Sequence, residues 1–161
     1  MDRQDQVSAL LQRLHAANPG GFAIALHIRF TSPTYLFQSY DKAWIDEYNR
    51  DGLLLHDPTV RWGFAHEGHV RWSELAPTDE AGVLGRAAGH GLRYGVCIAL
   101  QEGATRSIAS FARRDRELTE DEIRDNTGAL RALHELTATA QTFSPRMHNL
   151  LKQMSIYFTH A

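Results

Sequence analysis

Cysteine is nearly missing from this chain of 161 residues: Cys97 stands alone, so no internal disulfide can form, which fits a reducing cytoplasm. No apolar run approaches the length of a membrane span, and the opening "MDRQDQVSALLQRLHAAN" lacks a secretory apolar core. A formal charge of −2 removes any electrostatic reason to expect nucleic acid as a partner. Internal repeats and low-complexity segments are absent too. What is present is ordinary for one globular domain: 43% apolar and 22% charged residues, enough chain to bury a core.

Periodicity places the elements. Val7, Leu10, Leu11, Leu14 and Ala17 recur at helical steps and stop at "NPGG". "FAIALHIRF" (22–30) and "TYLFQSY" (34–40) read as strands joined by a turn. "DKAWIDEYNRDG" reads as a short helix capped by Asp41, and Asp57-Pro58 starts another. "HVRW" fits a short strand. "TDEAGVLGRAAGHG" reads as a helix beginning near Thr78, with Gly91 just past its end. "LRYGVCIAL" (92–100) and "RSIASFARR" (106–114) form a strand pair. A long helix follows over 119–141, opened by a Thr119/Glu122 capping box. Hairpins interleaved with helices, rather than βαβ units, predict an α+β domain with an antiparallel sheet.

One stretch is unusual. Residues 39 to 72 hold all three tryptophans and two of the five tyrosines. Tyr40, Trp44 and Tyr48 are spaced by four and would share one helix face. An indole that donates, phenols that donate or accept, and the carboxylate of Asp57 suit a small neutral ligand that mixes carbonyls with an N–H. Each residue also has a plain use. Trp44 and Trp72 fit a core, Asp57 fits a cap ahead of Pro58, and Tyr40 and Tyr48 fit edge aromatics. Only the joint spacing favours a pocket.

That spacing, Tyr-x3-Trp-x3-Tyr-x8-Asp-Pro-x13-Trp, resembles the autoinducer-binding domain of LuxR-type quorum-sensing regulators. "AAGHGLRYGVCIAL" resembles the family's Ala-x3-Gly-Leu-x-x-Gly segment, and the likeness runs from about residue 5 to 140. It implies an α/β/α sandwich, GAF/PAS-like, with an antiparallel sheet of about five strands and helices on both faces. The implied ligand is an N-acyl-homoserine lactone, with no cofactor and no metal. Trp44 would donate to the lactone carbonyl, Tyr40 to the acyl-amide carbonyl, and Asp57 would accept the amide N–H. Trp72 would pack beside the ring and Tyr48 line the acyl passage. Ser110, Thr59 and Cys97 would complete the wall, Cys97 as a small residue facing the pocket.

The domain would span 1–142. "FSPRMHNLLKQMS", within 143–161, resembles the start of the family's helix-turn-helix domain, so the chain as given is not expected to bind DNA by itself. The expected protein partners are a second copy, or a full-length LuxR-type regulator that it would hold in inactive heterodimers. "HEGH" (66–69) spaces its histidines by three, not four, with Gly68 between, so it does not read as a zinc helix. No Gly-x-Ser-x-Gly elbow or dinucleotide loop is present, and catalysis on the lactone is the weakest of the three functions considered.

Overall fold

The computed structural model describes residues 2–138. The elements, in order, are α1 (Arg3–Ala17), β1 (Phe22–Arg29), β2 (Ser32–Gln38), α2 (Lys42–Arg50) and a 3₁₀ turn at Leu53–His56. Next come α3 (Pro58–Ala65), β3 (Gly68–Arg71), α4 (Trp72–Leu75), a second 3₁₀ turn at Ala76–Thr78 and α5 (Val83–Gly89). The described chain closes with β4 (Tyr94–Glu102), β5 (Thr105–Arg113) and α6 (Glu120–Thr137). The five strands form one antiparallel sheet in the order β2-β1-β5-β4-β3. The α+β architecture expected from the hairpins is therefore the one found. The helix-turn-helix resemblance at 143–161 lies outside the described residues.

One face of the sheet is closed by α1 and α6. Val7, Leu11 and Leu14 of α1 meet Phe22, Ile24 and Leu26 of β1, Phe111 of β5, and Ile123, Leu130 and Leu133 of α6 in a single dry core. Asn18 at the end of α1 and Asn126 on α6 exchange amide hydrogen bonds at 3.0 and 3.1 Å, so both buried amides are satisfied. Thr119 and Glu122 cap α6 reciprocally, as their spacing predicts.

A bulge in β1 against β5, between Ala25 and Ile28, turns Leu26 and His27 toward this same side. His27 takes a left-handed backbone at φ 53°, and its ring lies tilted against that of His134 of α6, centroids 4.2 Å apart. His27 Nε2 lies 2.9 Å from the His134 carbonyl, and His134 Nε2 lies 3.0 Å from the Glu102 carbonyl. A carbonyl only accepts, so both Nε2 atoms carry hydrogen. Each Nδ1 lies beside a hydroxyl, Thr105 at 2.6 Å and Ser107 at 2.7 Å. Every ring nitrogen of the pair therefore has a hydrogen-bond partner.

Several expected boundaries shift by a few residues. Asp41 stands at the N-cap of α2 as read, with Tyr40 outside the helix, but its side chain makes no cap and instead pairs with Arg114 at 2.7 Å. Trp72, read as the end of a strand, opens α4. The helix read from Thr78 begins only at Val83. Asp79 accepts the N–H groups of Val83 and Leu84 at 2.9 and 2.8 Å, and Gly82 at φ 70° turns the chain into the helix.

Candidate functional site

The opposite face of the sheet is covered by α2 through α5, and it is not filled. A cavity of about 510 Å³ lies between this face and α2, α3 and the Leu53–His56 turn. Its floor is Ala23 and Ala25 of β1 with Ile108 and Ser110 of β5. Small residues on β1 leave the room.

Polar groups gather at one end. Trp44 and Tyr48 sit one turn apart on the buried side of α2, their rings edge-on with centroids 5.7 Å apart. Asp57 caps α3: its Oδ1 accepts the Thr59 amide at 2.9 Å and the Thr59 hydroxyl at 2.7 Å. Its Oδ2 accepts the Tyr48 phenol at 2.7 Å. Three bonds hold a buried carboxylate that would otherwise be costly to desolvate. Burial first, and then the charge of Asp57, push both phenols, Tyr40 and Tyr48, well above the ordinary tyrosine range, so they stay protonated.

The remaining tips are held loosely. Tyr40 donates to the Ser110 carbonyl at 3.3 Å, and Trp72 Nε1 donates to the Ser110 hydroxyl at 3.4 Å. Both are long bonds. Among the described residues Trp44 Nε1 has no protein partner. Since none of their fully buried side-chain polar atoms lacks one, that N–H is not fully enclosed, and Trp44 lines the cavity. Trp72 lies flat against β4 at Gly95, where an added Cβ would sit 2.2 Å from the indole. Behind Trp44 stands the His90 ring, centroid 5.4 Å away, with His90 Nε2 and Glu47 at 2.9 Å. Arg86 of α5 donates to Glu47 at 2.9 Å and also pairs with Asp51. His90 and then Arg86 draw the Glu47 carboxyl below its ordinary value. This ionic set ties α5 to α2 behind the indole.

Seven of the eight residues singled out from sequence line the cavity: Tyr40, Trp44, Tyr48, Asp57, Thr59, Trp72 and Ser110. Cys97 does not. It pairs with Ser110 across β4 and β5, and its Sγ lies 3.5 Å from the Thr59 carbonyl, one layer behind the wall. Burial, then the nearby Asp57 charge, push this thiol up to about 12, so it stays protonated. Sequence reasoning missed the apolar lining, Ile28, Leu36, Leu54, Leu55, Val60, Phe64 and Ile108 among it. The alternation of β1 and β5 carried a signal for part of it. No group of three or more His, Cys, Asp and Glu among the described residues could hold a metal.

The family model described as autoinducer binding domain matches residues 20–140. The chain belongs to the autoinducer-binding domain family. Solved structures agree on the fold of this autoinducer-binding domain. SdiA in complex with octanoyl-rac-glycerol superimposes with a TM-score of 0.65 at 21% identity, covering 91% of this chain and 67% of that one. A crystal structure of Escherichia coli SdiA gives 0.64 at 23% identity, over 91% and 69%. CepR2 from Burkholderia cenocepacia, an N-acylhomoserine lactone-dependent LuxR family transcription factor, gives 0.57 at 17% identity, over 84% and 91%. No curated protein matches the chain by sequence. No helix among the described residues is long and apolar enough to cross a membrane.

Proposed function

We propose that this autoinducer-binding domain receives an N-acyl-homoserine lactone in the cavity on the α2–α5 face. One observation carries the reading: a carboxylate, two protonated phenols and an unpartnered indole N–H converge at one end of an otherwise apolar space. Trp44 donates to the lactone carbonyl and Tyr40 to the acyl-amide carbonyl. Asp57 accepts the amide N–H while keeping its bonds to Thr59 and Tyr48. Trp72, flat on Gly95, packs beside the ring, and Ser110 holds the Trp72 indole in place.

Hydrogen bonds to a charged group are worth about 1.5–3 kcal/mol and neutral ones about 0.5–1.5 kcal/mol. A buried methylene adds about 0.8 kcal/mol. The head therefore sets orientation and the tail supplies most of the affinity. Filling the hollow face stabilises only the folded state, by about 4 kcal/mol at a thousandfold ligand excess over Kd. Dimerisation of this domain, with itself or with a full-length LuxR-type regulator, belongs to the same proposal.

Lactone chemistry is not part of it. Among the described residues no histidine, lysine or cysteine lines the cavity, and the nearby Cys97 thiol is held protonated. Melting the purified chain with a panel of lactones tests the reading: ligands raise the melting temperature and mass spectrometry recovers the ring intact. Absence of a shift at every tail length sinks it, and ring opening sinks its non-catalytic part.

A further inference from the structure

The cavity has a direction, and strand register gives it. At one end Ala23 pairs with Gln38 and Ser110; further along, Ala25 pairs with Leu36 and Ile108; at the far end Ile28 pairs with Pro33 and Arg106. The first rung carries the polar tips, since Tyr40 and Trp72 both bond to Ser110. The second and third present apolar side chains, Leu36, Ile108, Ile28 and Pro33, to the cavity. Helix α3 runs alongside in the same sense. Thr59 at its start lies on Cys97, the partner of Ser110, while Arg106 at the far rung donates to the Gly63 carbonyl at 2.9 Å near its end. Asp57, Val60 and Phe64 thus line one wall from the polar end to the apolar one.

The cavity opens to solvent along its apolar part. Among the described residues five large apolar side chains are exposed, and four of them line this cavity: Leu55 at 82%, Leu54 at 54%, Phe64 at 41% and Leu36 at 39%. Apolar residues scattered over a surface need no explanation, but four at the mouth of one cavity do. From Ser110 to Arg106 a strand rises about 13 Å, and an eight-residue helix such as α3 rises about 12 Å. An extended chain advances about 1.2 Å per bond, so this path takes about eleven bonds.

Resting on the ligand reading above, we infer that the cognate ligand belongs to the long-chain class. Its unbranched tail of about ten carbons or more leaves the cavity between the β1–β2 hairpin and the Leu53–His56 turn. Leu54, Leu55 and Phe64 cover its end. Tails that stop short leave these side chains in water; tails that reach them are rewarded at every methylene, and the open mouth imposes no upper limit.

The experiment uses the full chain and two ligand series, N-acyl-homoserine lactones and 1-acylglycerols, each from butanoyl to tetradecanoyl. Calorimetric affinity is expected to rise with length through dodecanoyl in both series, by up to about fourfold per methylene. Ala25→Leu, in the middle of the floor, flattens the rise. Leu55→Ser, at an exposed site where folding is not at stake, weakens the dodecanoyl ligand more than the butanoyl one. A maximum at butanoyl or hexanoyl, or equal loss for both tails in Leu55→Ser, overturns the inference while leaving the lactone reading standing. A rise in the acylglycerol series with no lactone bound overturns the lactone head and keeps the tail path. No binding in either series removes both. If length has no effect and Leu55→Ser instead turns a dimer into monomers, the patch is an interface between copies and the inference falls.

Discussion

On the side of the sheet facing α1 and α6, β1 presents Phe22, Ile24 and Leu26; on the other side it presents Ala23 and Ala25. The same strand thus builds a dry core on one face and the floor of a cavity on the other. On the α1/α6 face even the polar groups are paired, Asn18 with Asn126 and His27 with the His134 carbonyl and Thr105. On the α2–α5 face several polar tips are bound weakly or not at all by protein. A receptor needs this asymmetry, because a hollow layer contributes little to folding and the filled layer must hold the sheet together without ligand.

Truncating a side chain should separate the two faces most clearly. Phe111→Ala on the dense face should destabilise by about 3–5 kcal/mol in chemical denaturation, since a fully buried ring leaves a void. Leu36→Ala, at the open mouth, should change the ligand-free chain by less than about 1 kcal/mol, because that side chain already borders empty space. Equal losses would mean that the two faces are packed alike. Next in size, Asp57→Asn retains a good helix cap but loses the charged acceptor. Calorimetry should show lactone binding weakened by about 1.5–3 kcal/mol, with ligand-free stability far less affected.

Gly95→Ala pushes a methyl into the Trp72 indole. A loss of about 1–3 kcal/mol is expected, together with a reduced ligand-induced shift in melting temperature; an unchanged shift would release Trp72 from its role. The smallest effect concerns the dense face alone. Burial, then the neighbouring His134, lower the His27 pKa below 6.5, with Arg29 adding to the depression; the Glu102 carboxylate nearby is engaged by Arg131. The unfolded chain therefore takes up a proton before the folded one does, and stability falls as pH drops below 6.5 toward the lower folded value. Melting curves between pH 7.5 and 5.5 should show this slope, and it should shrink in His27→Asn. Carboxylates held low by arginine, such as Glu122, act only at more acidic pH.

Much of this domain is legible in the order of its residues. The capping box at Thr119 and the Asp-Pro start of α3 are local, and local rules found them. So did the spacing of Tyr40, Trp44, Tyr48, Asp57 and Trp72, because four of these sit on or beside two short helices and keep their separations when folded. The late start of α5 was missed because Asp79 caps from outside the helix, across Gly82. Cys97 was placed on the pocket wall by the family resemblance alone; the Thr59 carbonyl stands against its thiol, and only the docking of α3 decides that.

His27 shows the limit best. Counting by twos from Ala23 and Ala25 puts His27 on the cavity face, but the bulge turns it to the α6 side, where the His134 carbonyl, Thr137, Thr105 and Ser107 take its polar groups. Residue order carried the main helices, the two hairpins and the set of polar tips, since each depends on residues within a short stretch, but not α4 or the 3₁₀ turns. Tertiary structure alone decided which tips keep a weak or missing partner, which face stays hollow and where the cavity opens. Those outcomes depend on how α2, α3 and the β1–β2 hairpin approach one another, and no short-range pattern encodes that distance.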